Sequence, residues 1–280
     1  MAEGCSGNCG SCSSGGACGH TKVAECMNKI KNKYFVLSGK GGVGKSSVAA
    51  ALAVSLAKLG RRVGLLDVDF HGPSQPTLFG VADARLEQGE TADLVAPLDT
   101  EGGVKLVSIG LLLEDSDQAV IWRGPAKMGV LEQLLSVVEW GELDDLVLDF
   151  PPGTGDEILS ACQLIPGRKR AVVVTTPQEV SLADCRKCLD FCDKVGLEIA
   201  GVVENMSGFI CPKCGTRHDL FASGGGEKLA AAHHVPLLAQ LPLDPEFMRV
   251  CDAGTLAAEL DRFPAIGDAM KHVAADLAAK

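Results

Sequence analysis

Residues 39–46 have the sequence GKGGVGKS, between an apolar run at residues 34–37 (YFVL) and an Ala- and Leu-rich run at residues 47–59 (SVAAALAVSLAKL). This is the pattern G-x-x-x-x-G-K-S in the strand–loop–helix setting that a phosphate-binding loop requires. Glycines let backbone N–H groups surround phosphates, Lys45 brings positive charge to the β and γ phosphates, and Ser46 offers a hydroxyl to Mg²⁺. The stretch predicts a nucleotide-binding P-loop made of Gly39, Lys40, Gly41, Gly42, Val43, Gly44, Lys45, Ser46 and Ser47.

The rest of the chain continues the alternation of strand and helix patterns that begins at this loop. Short aliphatic runs predict strands at residues 34–37, 63–66, 105–109, 146–148, 171–174 and 199–203. Helical patterns lie between them, near residues 46–59, 126–139, 156–164, 180–195 and 226–233. Continuous apolar strands that alternate with helices are typical of a parallel sheet covered on both faces. The predicted fold is therefore α/β, with a mostly parallel sheet and helices on both faces.

The pattern divides the 280 residues into a tail and one domain. Residues 1–33 carry almost no large apolar side chains, so burial cannot offset the entropy of ordering them, and we expect a Cys-rich, metal-binding tail. Residues 34–280 form the predicted P-loop ATPase domain. The stretch from residue 80 to residue 103 is polar and predicts a long surface loop.

Composition narrows the classes of function. The formal charge of −10 disfavours binding to nucleic acid through phosphate contacts. No apolar run reaches the roughly 18 residues of a membrane span, and the amino terminus has no apolar segment of a secretory signal. We therefore expect a cytoplasmic protein with no membrane and no nucleic acid partner.

Three aspartates follow predicted strands. Asp67 and Asp69 end the second strand and Asp149 ends the fourth. Because parallel sheets present their ligand sites at the carboxyl ends of the strands, we expect these carboxylates to lie beside the P-loop.

A second kind of chemistry is indicated by the cysteines, of which the chain has twelve. Cys211 and Cys214 form a C-P-x-C pair, and two thiolates separated by two residues in a tight turn can face one metal. Two such pairs related by a dimer axis would supply four thiolates to one cluster. A zinc site completed by His218 and a redox dithiol are the alternatives for this pair.

The remaining cysteines divide into a tail group and a helix group. Cys9, Cys12 and Cys18, with Cys5 upstream, predict ligands of a 4Fe-4S cluster, with zinc or free thiols as alternatives. Cys185, Cys188 and Cys192 have the i, i+3, i+7 spacing of one helix face, and we expect them to pack in the core as small apolar side chains.

These motifs together resemble the Mrp/NBP family of iron-sulfur cluster carrier ATPases, within the deviant Walker A class that includes MinD, ParA and the nitrogenase iron protein. The second lysine of the loop, Lys40, is the mark of that class. The resemblance covers residues 34–259 and rests on the segments 38–46 (SGKGGVGKS), 67–74 (DVDFHGPS), 122–125 (WRGP), 149–156 (DFPPGTGD), 175–179 (TTPQE) and 203–214 (VENMSGFICPKC).

The resemblance implies ATP and Mg²⁺ as ligands, slow hydrolysis, dimerisation, and a labile 4Fe-4S cluster that is passed to apo iron-sulfur proteins. It gives Lys40 the role of reaching the nucleotide of the facing subunit, Asp69 that of positioning the attacking water, and Asp149 that of holding Mg²⁺ through water. Asp67 supports Mg²⁺, and Asn205 recognises adenine. Its eukaryotic-type NBP branch has tail ligands at positions like Cys9, Cys12 and Cys18.

The fourth ligand of the tail cluster and the partner in the dimer are not fixed by the resemblance. The gap before the tail motif is short, so the fourth tail ligand is Cys5 or else Cys26. The partner in the dimer is a second copy of this chain or a related ATPase.

Other members of the class fit less well. A nitrogenase-type reductase would have a cluster cysteine soon after Asp149, and residues 150–160 contain none. The carboxyl-terminal pattern at residues 265–280 is Ala-rich with few basic residues, which makes a poor membrane anchor for a positioning ATPase. The serious alternative is a zinc-stabilised P-loop regulatory or positioning ATPase.

Overall fold

The computed structural model describes residues 19–91, 93–112 and 124–280. Ten strands and ten helices are found in these residues. The strands are β1 (Ile30–Ser38), β2 (Val63–Asp67), β3 (Leu98–Asp99), β4 (Val104–Ser108), β5 (Leu143–Asp149), β6 (Lys169–Thr175), β7 (Glu198–Glu204), β8 (Phe209–Ile210), β9 (Arg217–His218) and β10 (Leu237–Gln240). The helices are α1 (Gly19–Met27), α2 (Lys45–Lys58), α3 (Gln75–Leu78), α4 (Gly124–Val137), α5 (Asp156–Leu164), α6 (Glu179–Val195), α7 (Gly225–Ala232), α8 (Pro245–Asp252), α9 (Leu256–Glu259) and α10 (Pro264–Ala279).

Eight strands form one sheet in the order β10-β7-β6-β1-β5-β2-β4-β3. All neighbours are parallel except β3, which runs antiparallel to β4. One face of the sheet is covered by α2, α8, α9 and α10, and the other by α1, α4, α5, α6 and α7. The predicted α/β architecture is confirmed, and the central strand β1 delivers the P-loop to the carboxyl edge of the sheet.

The boundary between tail and domain lies earlier than the expected residue 33. Helix α1 packs on α4, and Val23, Met27 and Ile30 are buried in the core beside α4 and α5. These three apolar side chains are spaced so that each enters the core. The segment has so few apolar residues overall that its composition alone did not indicate this packing. Residues 1–18, with Cys5, Cys9, Cys12 and Cys18, lie outside the described residues.

The carboxyl-terminal helix α10 is held to the sheet by a buried arginine. Arg170 on β6 is almost fully buried, and its Nη2 donates to Leu277 O at 2.7 Å and to the Tyr34 hydroxyl at 2.8 Å. The Tyr34 hydroxyl also donates to Leu277 O, at 3.1 Å. Burial, together with the charge of Asp145, raises the pKa of Tyr34 to about 12.

Two glycines meet back to back where α3 and α8 end. Gly80 and Gly254 both have left-handed backbones, with φ of 67° and 74°. A Cβ on Gly254 would lie 2.6 Å from Gly80 N and 2.8 Å from Thr77 O, closer than real Cβ contacts. This close approach fixes α3, which follows Asp69 in the chain, against α8.

We expect Gly254→Ala to destabilise the protein more than Gly60→Ala. Gly60 has nearly the same φ, 77°, but open space where its Cβ would lie, so alanine there costs only the left-handed conformation, about 1–2 kcal/mol. At Gly254 the collision with Gly80 adds about 1–3 kcal/mol. Denaturant unfolding of both variants measures the difference, and equal losses would show that the Gly80–Gly254 contact does not constrain the fold.

Candidate functional site

The P-loop forms the wall of a cavity at the carboxyl edge of β1. Residues 39–44 connect β1 to α2, and Gly42 and Gly44 both have φ of 79°, which glycine adopts without strain. The cavity has a volume of about 180 Å³ and is lined by Ser38, Lys40, Gly41, Gly42, Val43, Gly44, Lys45, Ser46, Ser47, Asp69 and Pro152. The structure thus brings the predicted loop residues except Gly39 to one concave surface that begins at the amino end of α2, where backbone N–H groups and the helix dipole favour an anion.

Gly39 is required where β1 passes helix α6. A Cβ at this position would overlap the carbonyl carbon of Asp184 and lie 2.6 Å from Cys185 N. Helix α6 therefore supports the P-loop from behind through direct backbone contact.

Lys45 and Asp149 form a buried ion pair at the bottom of the cavity. Lys45 is 6% exposed and Asp149 is fully buried, and Lys45 Nζ contacts both Asp149 Oδ1 and, at 3.3 Å, Ser46 Oγ. The predicted convergence of the strand-end carboxylate on the P-loop lysine is found in the structure.

Asp67 lies next to this pair and is also fully buried. Its carboxylate accepts hydrogen bonds from Gln75 N at 3.2 Å, Asp69 N at 3.1 Å and Ser108 Oγ at 3.1 Å. Burial, followed by the charge of Asp149, raises the pKa of Asp67. Two buried carboxylates and the Ser46 hydroxyl form an oxygen-rich set of the kind that Mg²⁺ prefers, and a cation there would relieve the repulsion between them.

Gln75, the first residue of α3, is a site residue that the sequence did not reveal. Its Nε2 donates to Asp149 Oδ2 at 2.8 Å and to Ser46 O at 3.0 Å, while its Oε1 is buried with no hydrogen-bond partner. Gln75 thus joins α3 to the P-loop and to the β5 carboxylate. The only signal in the sequence is its position six residues after Asp69.

Asp69 occupies the rim of the cavity, half-buried. Its Oδ1 accepts from His71 N and Gly72 N, each at 3.3 Å, so the loop that follows β2 orients this carboxylate. The segment after β5 closes the opposite side, where Gly153 N donates to Ser38 O at 2.8 Å.

Asn205 reaches the P-loop from β7. Its Nδ2 donates to Val43 O at 2.9 Å, and its backbone N donates to Thr175 O at 2.8 Å. Gly44 lies so close to this amide that a side chain at Gly44 would overlap it. The structure therefore places the predicted adenine-recognising residue in contact with the loop, 162 positions away in sequence.

The C-P-x-C pair lies at the turn of a small hairpin, residues 209–218, which we call the cysteine hairpin. Strands β8 and β9 pair antiparallel outside the main sheet, and the turn is closed by Cys211 N to Thr216 O at 2.9 Å and Gly215 N to Cys211 O at 2.8 Å. Cys211 is half-buried and Cys214 exposed. Contacts with the Thr216 side chain and backbone, and then with Cys211, hold the pKa of Cys214 below its usual value, which favours the metal-binding thiolate.

His218 does not complete a metal site with this pair. Within residues 19–91, 93–112 and 124–280, no three His, Cys, Asp or Glu side chains are grouped to hold a metal ion.

The other cysteines behave differently. Cys185, Cys188 and Cys192 are fully buried on α6, which confirms the prediction of a core helix. Cys26 is half-buried, its thiol donates to Ser136 O at 3.3 Å, and burial raises the pKa of this thiol. A raised pKa disfavours the thiolate that a metal requires.

Comparison with known proteins assigns this architecture to a family. The family model described as ParA, NUBPL iron-transfer P-loop NTPase, matches residues 29–278. The chain is 45% identical over 270 residues to an iron-sulfur cluster carrier protein of Methanocaldococcus jannaschii, covering 93% of this chain and 92% of that protein. It is 47% identical over 236 residues to the cytosolic Fe-S cluster assembly factor NUBP2 of Gallus gallus, covering 83% of this chain and 87% of that protein.

Solved structures agree with the fold. A nucleotide-binding protein from Archaeoglobus fulgidus in complex with ADP superposes with a TM-score of 0.76 at 36% identity, covering 88% of this chain and 97% of that one. The septum site-determining protein MinD of Pyrococcus horikoshii, complexed with Mg-ADP, has the same fold, with a TM-score of 0.64 at 24% identity and coverage of 89% and 96%. No helix in the described part of the chain has the length and apolar content needed to cross a membrane.

Proposed function

Because the chain belongs to the family of NUBPL iron-transfer P-loop NTPases, we propose that it binds and hydrolyses ATP and carries a 4Fe-4S cluster to apoproteins. The relatives named above are iron-sulfur cluster carriers and assembly factors, and the chain is an iron-sulfur cluster carrier of this family. One observation carries the finer proposal. The half-buried Cys211 and the exposed Cys214, whose thiol pKa is lowered, lie six and nine residues after Asn205, which contacts the P-loop.

The nucleotide site works through charge and position. The P-loop backbone and Lys45 would bind the phosphates, and Ser46, Asp67 and Asp149 would hold Mg²⁺. Mg²⁺ supplies positive charge that stabilises the transferring phosphoryl group. Asp69, oriented by the backbone after β2, positions the attacking water, and Lys40 reaches the nucleotide of the facing subunit.

Phosphate binding changes the partner of Lys45. In the structure its Nζ contacts Asp149, so a bound triphosphate would draw the lysine toward the cavity and free the Asp149 carboxylate, one of the groups that would hold Mg²⁺. Gln75 donates hydrogen bonds to both Ser46 O and Asp149 Oδ2, and it would keep these two residues in the same relative position during this exchange.

The cluster is cargo bound by thiolates. Cys211 and Cys214 of one subunit supply half of a four-thiolate site, and the same pair from a second copy or a related ATPase completes it across a two-fold axis. The exposed position of Cys214 leaves the cluster accessible to an acceptor apoprotein.

A second 4Fe-4S site is proposed for the tail. Cys9, Cys12 and Cys18 supply three ligands, and Cys5 is the fourth. The alternative fourth ligand, Cys26, is disfavoured because its thiol is bound to Ser136 O and has a raised pKa. We also propose a cytoplasmic location, by analogy with the cytosolic assembly factor among the relatives.

The test is the iron, sulfide and zinc content of anaerobically purified protein, with Mössbauer spectra. We expect about eight irons per dimer in the tail sites and about four more at the cysteine hairpins, on four-thiolate ligation. The Cys211→Ala/Cys214→Ala variant should lose only the last four. Cys162→Ala, which removes a half-buried cysteine far from the hairpin in sequence, is the matched control and should keep all twelve.

A different metal content would contradict the carrier proposal. Stoichiometric zinc with no iron that can be reconstituted would overturn the carrier proposal in favour of a zinc-stabilised regulatory ATPase. The P-loop assignment would stand in either case. The names of the relatives do not favour that alternative.

A further inference from the structure

Residues 205–208, which we call the connecting turn, join the P-loop to the cysteine hairpin. At the first end, the Asn205 side chain donates to Val43 O. At the other end, Ser207 N donates to Leu241 O and Leu243 N donates to Gly208 O, each at 2.8 Å. Only residues 206–208 separate Asn205, which contacts the P-loop, from the first strand of the cysteine hairpin.

The connecting turn has an unusual backbone. Met206 has φ of 57° and Gly208 has φ of 80°, so two of its four residues are left-handed. For methionine this conformation is strained, and it persists where the surroundings hold it in place. The conformation of the turn therefore depends on the contacts that Asn205 and Ser207 make at its two ends.

Arg217 on β9 ties the cysteine hairpin back to this turn. Its Nη2 donates to Ser207 O at 3.0 Å and to Ser207 Oγ at 3.3 Å. The guanidinium lies against Gly208, where a Cβ would be 2.8 Å from Arg217 Nε. The glycine thus gives the arginine room to reach the backbone of the turn.

Ser207, the residue that Arg217 contacts, is hydrogen-bonded to the last residue of β7. Ser207 Oγ donates to Glu204 Oε1 at 2.6 Å, and Glu204 is fully buried at the end of β7. The Glu204 carboxylate also accepts from Gln240 Nε2 at 3.0 Å and from Gly226 N at the start of α7. Arg217 therefore connects the cysteine hairpin to a hydrogen-bond network that ends at the buried Glu204 carboxylate.

The cysteine hairpin is small, and besides Arg217 it meets the body of the protein through a bridge between Phe209 and Leu243. Strands β8 and β9 contribute two residues each, and a two-stranded hairpin of this size is not stable by itself in water. Arg217 and His218 are exposed, as is 46% of Ile210. The orientation of the two thiols thus depends on ties to the body of the protein.

We infer that Arg217 is a positioning residue that transmits the state of the P-loop, through the connecting turn, to Cys211 and Cys214. Nucleotide in the cavity shifts Val43 and Asn205, the change in the turn alters the contact between Arg217 and Ser207, and that contact sets the orientation of the cysteine hairpin. This deepens the proposed function and rests on it, because it names the residue by which ATP controls access to the cargo site.

The experiment measures alkylation of Cys214 by iodoacetamide in the full, cluster-free chain, followed by mass spectrometry of the cysteine-hairpin peptide. In the wild type we expect a non-hydrolysable ATP analogue with Mg²⁺ to change the alkylation rate by about fivefold, the low end of coupling between two sites. In Arg217→Gln we expect the nucleotide effect to disappear while affinity for the analogue is retained. Arg217→Lys keeps one charged donor and should restore part of the effect.

Arg249→Gln is the matched control. Arg249 is an exposed arginine that pairs with Glu246 on α8, so its removal should leave the nucleotide effect as in the wild type. A full nucleotide effect in Arg217→Gln, or none in the wild type, would overturn the inference. Since the assay needs no iron, a protein that binds zinc instead of a cluster would refute the proposed function without changing this result.

Discussion

Lys45→Ala is expected to abolish ATP binding and to unfold at a markedly lower temperature. The loss of binding follows from the loss of the cation that meets the β and γ phosphates. The loss of stability follows from the structure, because Lys45 is the charge partner of the fully buried Asp149. Removing one partner of a buried ion pair costs about 3–5 kcal/mol.

In a domain of this size such a loss lowers the midpoint of thermal unfolding by roughly 10 °C. Calorimetry of the nucleotide-free protein measures it, and nucleotide titration measures binding. Lys40→Ala is the matched control, because Lys40 is half-buried in the same loop and its replacement leaves the Lys45–Asp149 pair intact. A Lys45→Ala protein as stable as the Lys40→Ala protein would show that the buried pair contributes nothing to the fold.

The same variant tests the link between ATP and cargo. If Lys45→Ala still loads a cluster and transfers it at the wild-type rate, the proposed coupling of hydrolysis to transfer is wrong. Cluster transfer to an apo iron-sulfur protein, followed by the recovery of the acceptor's spectrum, gives that rate.

The second large effect is expected from Gly39→Ala. The added methyl group would overlap the Asp184 carbonyl carbon, and neither the strand nor the helix backbone can move aside as a side-chain end could. We expect a loss of about 3 kcal/mol in the free energy of unfolding and a displaced P-loop that no longer binds nucleotide.

Gly41→Ala is the control within the same loop. The nearest atom to a Cβ at Gly41 is a side-chain carbon of Pro152 at 3.9 Å, an ordinary contact distance. Its unfolding midpoint in urea should match the wild type, even where its nucleotide affinity differs. Equal stability of the two variants would mean that α6 does not support the P-loop through Gly39.

The convergence of the P-loop and the strand-end aspartates is predictable from the sequence because each belongs to a contiguous strand-and-loop segment. The P-loop and Asp69 follow strands β1 and β2, Asp67 and Asp149 are the last residues of β2 and β5, and a parallel sheet brings strand ends together. The burial of the α6 cysteines was likewise predictable from helical spacing alone.

The parts that escaped prediction depend on tertiary contacts. Gln75 acts through a four-residue helix whose direction is set by the Gly80–Gly254 contact. Glu204 and Arg217 meet through Ser207, and nothing in their spacing indicates it. Helix α1 was missed because three buried side chains within a Cys-, Gly- and Ser-rich segment are too few to raise its average apolar content.

The strand order sets a sequence of events during synthesis. Strand β1 leaves the ribosome early, yet its two neighbours, β5 and β6, are made more than a hundred residues later. Long-range parallel pairing of this kind forms slowly, so the nascent P-loop waits for its flanking strands. Asn205, which closes the loop, emerges six residues before Cys211. The Cys211–Cys214 pair is thus translated just after Asn205, the residue after β7 that contacts the P-loop, and Arg217 follows the pair by three residues.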